Sequence, residues 1–174
     1  SSSVKSDPNR IRQIITNILS NAIKFTEQGE IVITAKLSPS ESINELRFSC
    51  QIRDTGIGIP DEKLSSLFGA FNQADASTTR KYGGTGLGLS ITKELCKLLK
   101  GDVIVSSEHG VGSCFEISCI VEKGDKTQLI LPSFANSSTS ALIVDDNQST
   151  REALGRQLQA WGLKVTTAAD SEEA

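Results

Sequence analysis

A glycine-rich stretch is the part of this chain whose residue types most directly suggest ligand chemistry. Four of the six residues from 83 to 88 are glycine, and apolar residues follow at helical spacing: Ile91, Leu95, Leu98 and Leu99. Glycine reaches positive φ at little cost and has no Cβ to block a ligand, so several N–H groups can point at one anion. A helix that begins there adds its own unpaired N–H groups. The stretch predicts a phosphate site, with a glycine-rich turn that binds nothing as the alternative.

Three polar side chains on a predicted helix supply a second candidate. Asn17, Asn21 and Lys24 form a strip beside the apolar face of that helix. Asn has a low helix propensity, so a pair of them inside a helix suggests a role other than solvation. An amide oxygen can ligate Mg²⁺, and an ammonium group can pair with phosphate. A pair of exposed Asn residues without a ligand stays open as the alternative.

Asp54 stands at the end of a predicted strand, and Gly56, Gly58 and Ile59 follow it. An ionised carboxylate only accepts hydrogen bonds, so Asp54 could hold an exocyclic amine such as that of adenine. The glycines would leave space for a flat ring. The alternative is a turn Asp that satisfies its own backbone.

The segment from 72 to 82 is polar and lacks periodicity. A connection of this length in a compact domain is often functional, so we expect a mobile lid. It would bring Arg80 and Lys81 to the glycine run, where cations meet phosphate oxygens.

The elements that must position these residues begin with a helix started by Asp7 as N-cap and Pro8 as first helical residue. Its core face is predicted to carry Ile11, Ile14, Ile15, Ile18, Leu19 and Ala22. Gly29 closes this helix region. Residues 31–37 and 46–53 read as strands, for which a hairpin is the simplest connection.

Further along, a short helix begins at Pro60 and carries apolar residues that continue to a phenylalanine: Leu64, Leu67, Phe68 and Phe71. A helix over 90–100 ends at Gly101, which suits the C′ position. Strands over 103–107 and 114–121 flank a turn and form a second hairpin. The only histidine, His109, lies in that turn and is expected to be solvated rather than catalytic.

Composition narrows the classes of function. The chain has 174 residues and a net charge of −3, so nucleic acid and anionic membrane surfaces are poor candidate partners. No apolar run approaches the ~20 residues of a membrane span, and the first residues lack the apolar core of a signal peptide, so a soluble segment is expected. The four cysteines lack metal-site spacing and are expected to be buried thiols of a reducing compartment: Cys50, Cys96, Cys114 and Cys119.

The last part of the chain has a different pattern. Residues 123–140 are polar and Ser-rich and read as a linker. The apolar run 141–144 then predicts a buried parallel strand that ends at Asp145 and Asp146, and a helix and a second strand follow. This opening of a βαβ unit is too short to be stable alone, so we expect it to be incomplete.

Four of these motifs together resemble the N, G1, F and G2 boxes of sensor histidine kinases, in the family's order. They are Asn17 to Thr26, Asp54 to Ile59, Leu67 to Phe71 and Gly84 to Leu89. The resemblance implies an α+β fold, a two-layer α/β sandwich of the histidine-kinase/gyrase/Hsp90 type, over residues 1–122. The tail over 141–174 resembles the start of a response-regulator receiver domain, with Asp145 and Asp146 as its acidic Mg²⁺ pair. The combination resembles a hybrid sensor histidine kinase.

Carried over residue by residue, the resemblance implies a site for ATP and Mg²⁺. Asn21 would ligate the Mg²⁺, and phosphates would be positioned by four residues: Asn17, Lys24, Arg80 and Lys81. Asp54 would bind the adenine amine. The other residues expected to contact ATP are Gly56, Gly58, Ile59, Tyr82, Gly84, Thr85, Gly86, Leu87, Gly88 and Leu89.

The implied function is transfer of the γ-phosphoryl group of Mg·ATP to a His on a separate dimerisation domain, for relay to an Asp of a receiver. The implied partners are that domain, a receiver or response regulator, and a second copy of a membrane-anchored parent protein, with this segment cytoplasmic. The segment itself carries neither phosphate acceptor. Two rivals stay open: an ATPase of the gyrase, Hsp90 and MutL type, and a regulatory module that docks partners without using ATP.

Overall fold

The computed structural model describes residues 3–69, 86–125 and 139–173. They divide into two compact units, one within 2–127 and one within 128–174. The first contains, in chain order, β1 (Val4–Lys5), α1 (Pro8–Phe25), β2 (Ile31–Pro39), β3 (Glu45–Asp54), α2 (Asp61–Leu64), α3 (Gly88–Leu98), β4 (Val103–Glu108) and β5 (Gly112–Lys123). The second contains β6 (Ser140–Val144), α4 (Gln148–Ala160) and β7 (Lys164–Ala168).

The first unit is built on an antiparallel sheet in which β5 is central. One edge of β5 pairs with β3 along almost its whole length, from Asp54 opposite Ser113 to Glu45 opposite Glu122. Its other edge pairs with β4 and, at the far end, with β1. β2 pairs with β3, and the predicted β2–β3 and β4–β5 hairpins are both present. The two-layer α/β fold class is confirmed.

Helix α1 forms where its capping residues predict. The Asp7 carboxylate accepts hydrogen bonds from the N–H groups of Asn9 and Arg10, and Pro8 opens the helix. Ile14, Ile18 and Ala22 are buried from the predicted apolar face. The rest of that face is partly buried, and its members are Ile11, Ile15 and Leu19. None of the described helices is long and apolar enough to cross a bilayer.

Helix α3 buries a different face from the one that its apolar residues suggest. Thr92 and Cys96 are fully buried, whereas Ile91 is 39% exposed and Leu98 is 64% exposed. Leu95 and Leu99 lie beside the core and are partly buried. Ile91 and Leu98 therefore face away from the core, because the helix is rotated so that a hydroxyl and a thiol face α1 and the sheet.

The C-terminal end of α3 also differs from the prediction. The C′ residue is Lys100, with φ of 55°, and the Lys100 and Gly101 N–H groups donate to the carbonyls of Lys97 and Cys96. These two bonds define a Schellman cap in which Gly101 is C″. Glycine is required there because a Cβ on Gly101 would lie 1.9 Å from the Ser118 carbonyl oxygen.

The second unit has the predicted strand, helix and strand. β6 and β7 pair in parallel, with Ala141 opposite Val165. The Asn147 side chain caps α4 by accepting from the Thr150 N–H. Gly162, with φ of 91°, follows the C-cap residue of α4.

Candidate functional site

Helix α1 connects the two places where ligand chemistry was predicted. The Asn17 amide Nδ2 donates to the Gly88 carbonyl oxygen at 3.1 Å, which fixes the middle of α1 against the first turn of α3. At the end of α1, the Phe25 carbonyl accepts from the Ile57 N–H at 3.2 Å, just after Asp54. A helix rises about 1.5 Å per residue, so the eight residues from Asn17 to Phe25 span about 12 Å. The start of α3 and the Asp54 loop therefore contact α1 at positions about 12 Å apart.

Near the C-terminal end of α1, the Asp54 carboxylate is fixed through one of its two oxygens. Its Oδ1 accepts from the N–H groups of Gly56 at 3.0 Å and Ser113 at 3.2 Å. The residue is only 6% exposed. Among the described residues no donor reaches Oδ2, and Thr26 Oγ1 is the one buried side-chain polar atom that lacks a partner there. Oδ2 is therefore an accessible acceptor on an otherwise fixed, buried carboxylate.

Gly56 and Gly58 bring the loop after Asp54 close to its neighbours. A Cβ on Gly56 would lie 2.2 Å from the Phe25 carbonyl oxygen, and one on Gly58 would lie 2.0 Å from that of Glu108. Gly58 also has φ of 66°, a value that side chains disfavour. Both glycines therefore have a packing reason within the protein, and their predicted role of leaving room for a base stays a prediction.

Two serines that the sequence did not single out support this end of the site. The Ser107 Oγ accepts from the Ile59 N–H at 2.8 Å and lies 3.1 Å from the Ser113 Oγ. Ser113 is buried and bonds Asp54 through its N–H. The signal that could have found them is sheet register, since Ser107 and Ser113 are paired across β4 and β5 and Ser113 is paired with Asp54 across β3 and β5.

At the other end, α3 begins without a side-chain cap. Leu87 is its N-cap residue and makes no capping hydrogen bond, and no acidic residue lies in the first turn. Gly86 has φ of 69°, which glycine adopts readily. The first N–H groups of a helix lack intrahelical partners and lie at the positive end of its dipole. This helix start can therefore bind an anion.

The polar strip of α1 lies between these two ends. Asn21 is half-buried, and its side chain makes no hydrogen bond with any described residue. The Lys24 ammonium lies 4.8 Å from the centroid of the Phe25 ring. The Asn17 side chain makes its hydrogen bonds to α3, because its Nδ2 also lies within hydrogen-bond distance of Thr92 Oγ1 at 3.3 Å. The strip thus presents the Asn21 amide oxygen one turn after Asn17, and the Lys24 ammonium group next to Phe25.

The structure describes part of the predicted set. Asn17, Gly88 and Leu89 lie at the α1–α3 contact, and Asp54 with its loop lies at the far end of α1. Five predicted site residues fall outside the described residues: Arg80, Lys81, Tyr82, Gly84 and Thr85. The same holds for Phe71 and for the predicted lid. Asp145 and Asp146 belong to the second unit, where Asp145 Oδ1 accepts from the Asn147 N–H at 2.8 Å.

The buried cysteines are not part of the candidate ligand site. Burial raises the pKa of Cys96 to about 12 and that of Cys119 to about 11, and burial also raises the pKa of Cys50. Neutral thiols are poor nucleophiles. The prediction of buried thiols is confirmed for these three residues, and they serve the core.

Comparison with known proteins identifies the family to which this fold belongs. The family model described as histidine kinase-, DNA gyrase B-, and HSP90-like ATPase matches residues 6–123. The chain therefore belongs to this ATPase family. This confirms the family resemblance that the four motifs indicated, and the confirmation does not extend to the receiver-like tail.

Within that family the chain is similar to sensor kinases. It is 40% identical over 179 residues to the autoinducer 2 sensor kinase/phosphatase LuxQ of Vibrio cholerae serotype O1, covering 98% of this chain and 21% of that protein. It is 41% identical over 164 residues to the sensor histidine kinase GacS of Pseudomonas protegens, covering 94% of this chain and 18% of that protein. The chain spans about a fifth of the length of these relatives.

A solved structure is similar to this chain in both fold and sequence. Full-length ShkA in complex with AMPPNP superimposes with a TM-score of 0.73 at 30% identity, covering 99% of this chain and 34% of that chain. The mycobacterial sensor histidine kinase MprB shares the fold, with a TM-score of 0.50 at 22% identity. The first unit is therefore similar to the histidine kinase-like ATPase domain of sensor kinases.

Proposed function

We propose that this chain binds one Mg·ATP along α1 and transfers its γ-phosphoryl group to a His on a separate dimerisation domain. The observation that carries the proposal is the placement of two complementary ends about 12 Å apart along one helix. A fixed carboxylate with an open oxygen stands at one end, and an uncapped helix start stands at the other. The AMPPNP bound to the similar ShkA supports a nucleotide as the ligand.

Asp54 selects the base. Its Oδ2 accepts from an exocyclic amine, while the bonds from Gly56 and Ser113 to Oδ1 hold the carboxylate in place before the ligand arrives. An amine donor at this position distinguishes adenine from guanine, which presents a carbonyl at the corresponding ring position. Ile59, which packs against the core, belongs to the same proposal through its motif position.

The start of α3 and Lys24 hold the phosphates. The N–H groups after Gly86 donate to phosphate oxygens, and Lys24 adds a positive charge. Arg80, Lys81, Tyr82, Gly84 and Thr85 belong to the same proposal through their motif positions alone.

Magnesium fits the residues on this strip. Mg²⁺ in nucleotide sites is usually held by one or two protein oxygens together with phosphates and waters. Asn21 offers one such oxygen, since its side chain is engaged by no described residue. When bound, the ion neutralises charge on the transferring phosphoryl group. The chain's own contribution is to orient the nucleotide, because no nucleophile of this unit is needed.

The second unit is proposed as the start of a receiver domain. Its parallel β6–β7 pair with α4 between them and its acidic pair after β6 support this. Asp145 and Asp146 would be two ligands of an incomplete Mg²⁺ site. The domain boundaries 1–122, 123–140 and 141–174 stay part of this proposal, as do a receiver Asp in the relay and a membrane-anchored dimeric parent.

One incubation separates this function from its rivals. The chain is mixed with γ-labelled ATP, Mg²⁺ and a separately made domain carrying the phosphoacceptor His, and label on that domain and free phosphate are both measured. Acid-labile label on the His domain supports the kinase. Free phosphate without label on the domain supports an ATPase of the gyrase type, and neither product supports a regulatory module.

A further inference from the structure

We propose that Thr92 is a positioning residue that orients the Asn17 amide and the first turn of α3 at the phosphate end of the site. This inference rests on the proposed function, since it assigns a role within nucleotide binding. It starts from the observation that a hydroxyl, rather than an apolar group, occupies one of the two fully buried positions of α3.

Thr92 is 0% exposed, although the residues around it form an apolar core. A buried hydroxyl costs free energy unless it is hydrogen-bonded. The Thr92 Oγ1 accepts a hydrogen bond from the Asn17 Nδ2 on the neighbouring helix, at 3.3 Å. The hydroxyl is therefore retained in the core as one half of a contact between α1 and α3.

The same amide nitrogen also donates to the Gly88 carbonyl at 3.1 Å. Gly88 and Thr92 are four residues apart, so their oxygens lie one above the other on the same side of α3. A primary amide has two N–H groups on its nitrogen, and these two acceptors use both. Because a carbonyl oxygen can only accept, the Asn17 amide must turn its nitrogen to α3 and its Oδ1 away from these acceptors.

This orientation changes what Asn17 can do. With both N–H groups occupied, its free group is an oxygen, which repels phosphate oxygens but can accept from water or ligate a cation. Asn17 is thus expected to act on the hydrated metal beside Asn21, one turn along α1, rather than by donating to phosphate. Its bond to Gly88 also holds the helix start whose N–H groups face the phosphates.

Substitution of Thr92 tests this directly in the full chain. Thr92→Val keeps the shape and removes the acceptor, whereas Thr92→Ser keeps the hydroxyl. We expect Thr92→Val to weaken Mg·AMPPNP binding about five-fold, the effect of one lost hydrogen bond, and to leave adenosine affinity within two-fold. Thr92→Ser should bind both ligands like the wild type. If the valine variant does not fold, Thr92→Ala compared with Thr92→Ser carries the same test.

Cys96→Ala is the matched control. Cys96 is equally buried on the same face of α3 and lies one turn further from the site. It should lower the melting temperature and change neither affinity. Wild-type affinity for Mg·AMPPNP in Thr92→Val overturns the inference, as does an equal loss for adenosine, which would indicate general loosening. If the wild-type chain binds neither ligand, the proposed function itself fails, and this role fails with it.

Discussion

At the scale of single residues, the site is constrained most by Asp54, whose two carboxylate oxygens have different roles. Because Oδ1 is occupied by two backbone donors, only Oδ2 is available to a ligand. We expect Asp54→Ala to abolish nucleotide binding and Asp54→Asn to weaken it at least ten-fold. An amide at this position places an NH₂ donor opposite either the two backbone N–H donors or the ligand amine, and two donors cannot bond each other. Calorimetric titration with ATP measures both.

The Asp54 variants need a stability control, since Gly56 and Ser113 lose an acceptor in Asp54→Ala. The comparison is Ser107→Ala, which removes a neighbouring hydroxyl without touching Asp54. An Asp54→Ala protein that is folded by circular dichroism and still titrates ATP with unchanged affinity would remove Asp54 from the site.

The buried thiols predict how stability depends on pH. The native pKa values of Cys96 and Cys119 are about 12 and about 11, above the ~8.5 of an unfolded thiol. The unfolded chain therefore releases these protons first as pH rises. Their contribution to the free energy of unfolding is complete below about pH 8.5 and declines up to the native pKa values. Urea denaturation at pH 7.5 to 9.5 should show this decline.

A double variant, Cys96→Ala with Cys119→Ala, isolates the thiol contribution to that decline. Its free energy of unfolding should be lower than that of the wild type at pH 7.5 and should fall less steeply toward pH 9.5. Parallel curves for the two proteins would show that these thiols are not protected in the native state.

Sequence reasoning reached some of these residues and missed others for a physical reason. Asp54 and Asn21 were predicted because their types are unusual where they stand. Ser113 and Thr92 were missed because hydroxyl residues are common in strands and helices, and their importance comes from partners far along the chain. Asn17 was predicted to approach phosphate directly, and its bonds to α3 could not be read from spacing.

At the scale of elements, the end of α3 provides a matched pair of tests on adjacent residues. Lys100 has φ of 55°, which favours glycine, so Lys100→Gly should raise the free energy of unfolding by roughly 1 kcal/mol. Gly101→Ala should lower it by about 2 kcal/mol or more, because the new Cβ would meet the Ser118 carbonyl oxygen. Chemical denaturation of the two variants measures both signs.

Loss of the salt bridge between Lys100 and Glu45 in Lys100→Gly does not cancel the expected gain in the free energy of unfolding. It spans 3.3 Å with an exposed lysine, and such pairs contribute little. Equal destabilisation by both substitutions would contradict the Schellman assignment and return Gly101 to the C′ position that its sequence suggested.

The helices and strands were predictable to different degrees. The start of α1 was predicted because Asp7 and Pro8 act locally, and both hairpins followed from short connections between alternating runs. The buried face of α3 was not predictable from apolar residues, since it depends on how that helix packs on α1. Ile91 and Leu98 point outward as a result.

At the scale of the whole molecule, four motifs in order were enough to predict the fold of the first unit and its family. Such motifs are informative together because their order in the chain restricts the topology that can bring them together. The second unit was predicted as a strand, helix and strand from pattern alone. Its assignment to a receiver still depends on Asp145 and Asp146 and remains a proposal.

The central proposition is that the Asp54 loop and the start of α3 bind opposite ends of one molecule. Amide chemical shifts recorded while ¹⁵N-labelled chain is titrated with Mg·AMPPNP test it most directly. The account predicts that Gly56 and Ser113 at one end, and Gly88 and Leu89 at the other, shift together with a single dissociation constant, and that adenosine shifts only the first pair. Perturbation of one end alone by Mg·AMPPNP, or different constants for the two ends, would contradict it.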